Sequence, residues 1–192
     1  MDRVADILSK GGVALLPTDT VYGLCASPLH PAAIAKIFAL KNRPRAKNLP
    51  FLVADTAQIS ALGAVPHSQA RALLSSRFIP GALSMVLPLK NAPDWLAERQ
   101  EIAVRIPNAP AFIALLRQTG PLLATSANAS GQETPADVAD ILAQLTGTPD
   151  IVVNDGPRLS APSALINTQT TPLTVIRRGA LSDDDLKEIL AL

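Results

Sequence analysis

The stretch LLPTDTVYGL, residues 15–24, places polar side chains directly after a short apolar run. That run, VALLP at 13–17, predicts a buried strand because apolar segments of this length suit the middle of a sheet. If the strand is central, the polar residues lie at its carboxyl end, where open sheets bind ligands. Asp19 could then orient an amine, a backbone turn or a hydrated cation. Alternatively, Asp19 caps the turn and Tyr22 packs in the core.

In the rest of the chain, segments with a helical pattern and segments with an extended pattern follow one another without strict alternation. Apolar residues three or four apart predict helices, and short apolar or alternating runs predict strands. Ser182 and Asp185 have capping-box spacing before the last helix. The mixture predicts an α/β or α+β fold around a mixed sheet. Helices are expected near 2–10, 30–43, 68–78, 109–119, 134–145 and 182–192, and strands within 13–17, 49–55, 79–89, 102–107, 121–126, 150–156, 163–168 and 173–179.

Composition limits the function classes. The 192 residues are 48% hydrophobic and 17% charged, which predicts a single folded domain over 1–192 rather than a disordered chain. A net charge of +1 argues against a uniformly basic surface that binds polyanions, but it permits a local basic site. Cys25 is the only cysteine, so no internal disulfide can form, and a cytoplasmic location is expected. No apolar run is long enough for a membrane span.

The basic run KNRPRAK, residues 41–47, is the clearest charge feature. No acidic residue occurs between Asp19 and Asp55. Pro44 favours extended backbone around Arg43, so alternate side chains could face the same way and clamp an anion. The alternative is a solvated loop. The cations on alternate positions are Lys41, Arg43, Arg45 and Lys47.

Three further segments carry polar groups beside apolar runs. TSANASG, residues 125–131, offers small hydroxyl and amide groups that could bind a ligand, or that merely form a turn. Arg105 lies inside the apolar strand IAVRIP, where it either extends to the rim or pairs with a buried anion. Strand alternation in VIRRG places one of Arg177 and Arg178 on the site side.

Together and in this order, six segments resemble the YrdC family of threonylcarbamoyl-AMP synthases. The resemblance runs from about residue 10 to residue 180. It implies an α/β fold with a twisted mixed sheet and a basic concave face. It also implies synthesis of L-threonylcarbamoyl-AMP and pyrophosphate from L-threonine, bicarbonate or CO₂, and ATP with Mg²⁺. The segments are PTDTVYGL, KNRPRAKNLPFLV, PGALSMVL, VRIPNAP, SANASG and VIRRGA.

The resemblance also assigns roles to individual residues, although it assigns no metal ligand. Lys41 and Arg43 belong to the KxR motif and are expected to be catalytic. L-threonine would contact Thr20, Arg105 and Ser163. ATP would contact Arg43, Lys47, Ser126, Asn128, Thr134 and Arg177.

Departures from the family pattern leave two other interpretations open. Glu101 and Ala164 replace hydroxyl residues that are frequent in the family, and PGALS stands where PGPLT is common. A paralogue with another acyl or carbamoyl substrate is one alternative. An RNA-binding module is the other, although one Trp, one Tyr and four Phe offer few stacking surfaces. The chain resembles the short, single-domain branch, whose product goes to a tRNA threonylcarbamoyl transferase; a weak RNA contact is also expected.

Overall fold

The computed structural model describes residues 1–44 and 48–192. The helices of these residues are α1 Asp2–Ser9, α2 Pro31–Leu40, α3 Thr56–Ala61, α4 Ser68–Leu74, α5 Pro110–Thr119, α6 Val138–Gln144 and α7 Asp183–Leu190, with a 3-10 helix at Asp94–Leu96. The strands are β1 Ala14–Leu16, β2 Gly23–Ala26, β3 Phe51–Leu52, β4 Leu83–Pro88, β5 Glu101–Arg105, β6 Leu122–Ser126, β7 Ile151–Val152, β8 Ala164–Asn167 and β9 Thr174–Arg177.

Across the described residues, the strands form one mixed sheet in the order β7-β1-β2-β6-β3-β5-β4-β8-β9. The pairs β1–β7, β3–β5 and β4–β8 are parallel and the other neighbouring pairs are antiparallel. The α/β fold with a mixed sheet is therefore confirmed. The strand predicted at 13–17 is β1. It lies between the edge strand β7 and β2, so it is second from an edge of the sheet rather than central.

The two faces of the sheet are covered unequally. One face packs on the larger core, to which α2, α3, α4, α6 and α7 contribute apolar side chains. The other face packs on a smaller core with α1 and α5, and its strand residues come only from β1, β2, β3 and β6. Among the described residues, β4, β5 and β8 contribute no side chain to this smaller core. Polar side chains collect on that part of the sheet.

Most predicted elements are present, and the exceptions have local causes. The capping box is confirmed, since Ser182 and Asp185 exchange side chain to backbone hydrogen bonds at the start of α7. The strand β2 was not predicted because its residues, GLCA, have neither alternation nor β-branched side chains. Helix α6 begins at Val138 rather than near Pro135. None of the described helices is long and apolar enough to cross a membrane.

Candidate functional site

A cavity of about 150 Å³ lies on the second face of the sheet, beside the α1–α5 layer. Polar lining comes from the β1–β2 loop, from the segment after α2, from the ends of β5, β6 and β9, and from β4 and the segment before β8. The described residues that line it include three arginines and no carboxylate. Its polar members are Thr18, Thr20, Tyr22, Arg43, Ser84, Arg105, Thr125, Ser126, Ser163 and Arg177.

The β1–β2 loop is held by a buried arginine. Arg105 donates from Nη2 to Asp19 Oδ1 at 2.7 Å, from Nη1 to Thr20 Oγ1 at 2.9 Å and from Nε to the Gly81 carbonyl at 2.9 Å. Of the two alternatives for Arg105, pairing with an anion is therefore the one observed, and the anion is Asp19. A guanidinium has five N–H groups, so two remain for a ligand.

The pKa of Arg105 is lowered by burial and, more weakly, by the nearby Arg177, while Asp19 opposes that shift. Thr18 Oγ1 donates to the Val21 carbonyl at 2.6 Å and accepts from the Thr20 amide at 3.1 Å, which closes the loop on itself. Thr20 is thereby fixed on the cavity wall.

Asn128 organises the loop after β6. Its Oδ1 accepts from Ser126 Oγ at 2.6 Å, from Thr134 Oγ1 at 3.2 Å and from Lys41 Nζ at 3.2 Å. Its Nδ2 donates to the carbonyls of Ala129 and Gln132 at 2.8 and 2.7 Å. Because the Ser126 hydroxyl proton is committed to Asn128, the oxygen of Ser126 offers lone pairs to the cavity.

Lys41 lies behind this loop and is not among the cavity-lining residues. It is 1% exposed, and its ammonium donates to the carbonyls of Ser126 and Asn128 at 2.5 and 2.6 Å in addition to Asn128 Oδ1. All three of its protons therefore have acceptors inside the protein. Burial, followed by the charge of Arg43, lowers the pKa of Lys41 to about 8.

The basic run does not begin as an extended segment. Lys41 is the C-cap residue of α2, and Asn42 has a φ of 48°. This turn directs Lys41 into the protein and Arg43 into the cavity, so the expected alternation of equivalent side chains is wrong at its first two members. The remaining members, Arg45 and Lys47, lie outside the described residues.

Arg43 and Arg177 supply the positive charge of the cavity mouth. Arg43 Nε is buried and finds no acceptor among the described residues. The pKa of Arg177 is lowered by burial and then by the charge of Arg43, which indicates that the two guanidiniums are close. Two neighbouring cations, with no carboxylate among the described lining residues, create a site for a multiply charged anion.

Arg177 also contacts the segment before β8. Its Nε donates to the Ser163 carbonyl at 2.9 Å and its Nη2 to Ser163 Oγ at 3.4 Å. Gly179 permits this approach, because it has a φ of 60° and any Cβ there would collide with the Ser163 and Ala164 backbone. Arg178 instead pairs with Asp183 at the surface, so Arg177 is the site-side residue.

The geometry thus brings together most of the residues predicted from the sequence. Thr20, Arg43, Arg105, Ser126, Ser163 and Arg177 line the cavity, and Lys41, Asn128 and Thr134 support its wall. Sequence reasoning missed Ser84, the lone hydroxyl of the strand LSMVLP. It also missed Arg158, which donates to the Thr18 carbonyl at 3.0 Å and lies over the Tyr22 ring. Tyr22 is both core and cavity wall.

Known proteins resemble this chain in sequence and in fold. The Sua5/YciO/YrdC family model, described as telomere recombination, matches residues 6–179. A threonylcarbamoyl-AMP synthase from Stenotrophomonas maltophilia is 40% identical over 69% of this chain and 73% of its own length.

Two longer relatives extend the comparison. A threonylcarbamoyl-AMP synthase from Bacillus subtilis is 31% identical over 98% of this chain. The crystal structure of P. abyssi Sua5 complexed with L-threonine superposes with a TM-score of 0.85 at 28% identity over 97% of this chain. The chain spans 56% of the length of each of these two proteins.

Proposed function

This chain belongs to the Sua5/YciO/YrdC family, and we propose that it is an L-threonylcarbamoyl-AMP synthase. In the proposed reaction, L-threonine, CO₂ or bicarbonate, and ATP yield L-threonylcarbamoyl-AMP and pyrophosphate. The product would serve a tRNA threonylcarbamoyl transferase. The names of the relatives support the activity, and the cavity supplies the chemistry that such an activity requires.

The observation that carries the proposal is a cavity with three arginines and no carboxylate among its described lining residues. Such a charge balance favours a substrate with several negative charges. ATP and an amino-acid carboxylate together provide them. The volume of about 150 Å³ is below the roughly 300–1,000 Å³ of drug-sized ligand sites. The cavity therefore suits the amino acid, and the nucleotide would extend along its open mouth.

Each group has a role consistent with its geometry. Arg43 and Arg177 at the mouth would bind phosphates, with Lys47 a further candidate from the sequence. Arg105 would direct its two remaining N–H groups to the threonine carboxylate. The hydroxyls of Thr20 and Ser163 would face the amino acid, and Ser126, as an acceptor, would face a donor of threonine or of the nucleotide.

Lys41 would contribute through position rather than by touching phosphate. Its ammonium links the end of α2 to the Ser126–Asn128 loop by hydrogen bonds, so it fixes the position of that loop relative to Arg43. Asn128 and Thr134 would act in the same way. These residues form a rigid wall against which a nucleotide can be oriented, and orientation is a large part of phosphoryl-transfer catalysis.

The reaction needs no nucleophile from the protein. The threonine amine adds to CO₂ and loses a proton to give a carbamate. A carbamate oxygen attacks the α-phosphorus of ATP, and the bond from that phosphorus to pyrophosphate breaks. The protein would orient the carbamate and neutralise the developing charge. Cys25 fits this reading, because it is buried and its pKa is raised by burial to about 12, which keeps it a neutral thiol.

Mg²⁺ is expected as part of the ATP complex. The described residues contain no group of three His, Cys, Asp or Glu side chains that could hold a metal ion. The donor set therefore fits a metal carried mainly by the phosphates, whose charge it would reduce. The residues of this chain would act on the phosphate oxygens left free.

The decisive experiment combines the pure protein with ATP, Mg²⁺, bicarbonate and labelled L-threonine. We expect a labelled threonylcarbamoyl adenylate and an equal amount of pyrophosphate, with no RNA added. Removal of CO₂ from the buffer should stop both. Pyrophosphate release that continues without CO₂ would indicate that threonine's own carboxylate is adenylated, and the proposal would then be wrong.

A further inference from the structure

Ser84 is a buried hydroxyl on the cavity wall that has no role in the reaction described so far. It lies on β4, between β5 and β8. Arg105 is the last residue of β5, and Ser163 directly precedes β8. Ser84 is 4% exposed and Ser163 is 5% exposed, and their Oγ atoms are 2.8 Å apart. The two hydroxyls therefore form a hydrogen-bonded pair, and both residues line the cavity.

A count of donors and acceptors leaves one proton of this pair unused. Two hydroxyls carry two protons, and the contact between them uses one. Arg177 Nη2 donates to Ser163 Oγ, which fills another acceptor site and consumes no hydroxyl proton. No other acceptor for either hydroxyl occurs among the described residues. A buried donor without an acceptor is costly, unless a ligand satisfies it.

Either hydroxyl could donate in the contact between Ser84 and Ser163, and the inference takes the direction in which Ser84 donates. If Ser84 donates to Ser163, the Ser163 oxygen accepts from Ser84 and from Arg177, so both of its lone pairs are occupied. Its own proton must then point away from both donors. Donors that act on one oxygen also polarise its O–H group and make it a stronger donor. Because the nearby charged groups of the cavity are arginines, the natural partner for that proton is an anionic oxygen.

We propose that Ser84 is a positioning residue that fixes the Ser163 hydroxyl so that Ser163 donates a hydrogen bond to a carboxylate-type oxygen of the substrate. The inference rests on the proposed function, which supplies such oxygens in threonine and in its carbamate. Ser84 acts through Ser163 and need not touch the substrate. The two serines and Arg177 then form one unit, in which the loss of either hydroxyl disables the other.

The test uses Ser84→Ala, Ser163→Ala and the double variant, with kcat and KM measured for L-threonine at saturating ATP and bicarbonate. Each single variant should lower kcat/KM for threonine about tenfold, the upper end for one hydrogen bond. The double variant should lose little more than either single one, because one unit is removed in every case. Ser84→Thr, which keeps a hydroxyl, should recover most of the loss.

Thr168→Val is a matched control. Thr168 is buried, and its Oγ1 donates at 2.6 Å to the carbonyl of Val86, which lies on β4, the strand of Ser84. Thr168 is not among the cavity-lining residues. Loss of the Thr168 hydroxyl should lower the melting temperature without changing KM for threonine. Should Ser84→Ala prove much less stable than this control, Ser84→Cys keeps the volume with a weak donor and replaces it.

Three results would overturn the inference: wild-type kcat/KM in Ser84→Ala, additive losses in the double variant, or a Ser84→Thr protein as impaired as Ser84→Ala. In each of these cases the wild-type protein still makes the adenylate, so the proposed function survives. A wild-type protein that makes no adenylate, and binds no L-threonine by calorimetry, would remove both proposals together.

Discussion

Arg105 and Asp19 form an ion pair of 2.7 Å in which the two side chains are only 7% and 14% exposed. The pair joins the end of β5 to the β1–β2 loop, across strands that are not neighbours in the sheet. It neutralises one of the three cavity arginines, and no carboxylate among the described lining residues faces the other two. The pair therefore holds the loop, and also concentrates the unbalanced charge at the cavity mouth.

Asp19→Asn should destabilise the protein by about 3–5 kcal/mol, because it leaves a buried guanidinium without its counter-charge. The matched control is Asp155→Asn, whose carboxylate pairs with Arg158 but is 70% exposed. That change should cost at most about 1 kcal/mol. Urea unfolding measures both. Equal losses would contradict a structural role for the buried pair.

Arg43→Ala should lower activity about ten- to a hundredfold, because charge-assisted hydrogen bonds to phosphate contribute about 1.5–3 kcal/mol each. The change should appear largely in KM for ATP, with the melting temperature nearly unchanged. Arg77→Ala removes an arginine that pairs with Asp185 and Glu188 at the surface, and it should leave turnover unaltered. A folded Arg43→Ala protein with the wild-type kcat/KM for ATP would refute the phosphate role.

Activity should fall as the pH rises through about 8, where Lys41 loses its proton and with it one of the three donations to the Ser126–Asn128 loop. Stability should move the other way. The unfolded chain keeps this lysine protonated up to about 10.5, so its contribution to the free energy of unfolding rises between pH 8 and 10.5.

The measurement is a pH profile of kcat/KM for ATP, alongside thermal unfolding. Lys41→Met should show low activity with no fall that begins near pH 8. Lys36→Met, which removes an exposed partner of Asp150, should keep the wild-type profile. A wild-type profile that stays flat to pH 10 would contradict the role given to Lys41.

L-threonine should be strongly preferred over L-valine, with L-serine intermediate. A site built to hydrogen-bond a hydroxyl rejects the analogue that lacks it. The hydroxyls that line the cavity around Thr20, beside Arg105, provide such a site. Competition between the three amino acids in the adenylate assay measures the preference. Equal use of valine and threonine would show that these hydroxyls do not select the substrate.

Cys25→Ser should retain most activity, and a thiol reagent should not label the native protein until it unfolds. The thiol is fully buried, and its pKa is raised by burial to about 12. Labelling with iodoacetamide across a urea titration tests this. Rapid labelling of the native protein, together with loss of activity, would point to a covalent mechanism.

Much of the site was predictable because its residues lie in short local patterns. Thr20, Arg105, Ser126 and Asn128 each stand at a strand end or strand exit that the apolar runs already mark. Family resemblance then added roles to them. In the same way, the Ser182–Asp185 capping box was predictable because the start of a helix depends on neighbouring residues.

Tertiary structure decided the roles that depend on distant partners. The sequence by itself determined the α/β class, the order of most elements and the presence of a basic, hydroxyl-rich site. It did not determine that Lys41 turns inward while Arg43 faces the cavity, since that depends on acceptors about 85 residues away at Ser126 and Asn128. Nor did it reveal Ser84. One hydroxyl in an apolar strand has no local signature, and only the packing of β8 beside β4 places Ser163 against it. Local patterns report the backbone conformation, whereas the partner of a buried polar group is chosen by which strands the fold makes adjacent.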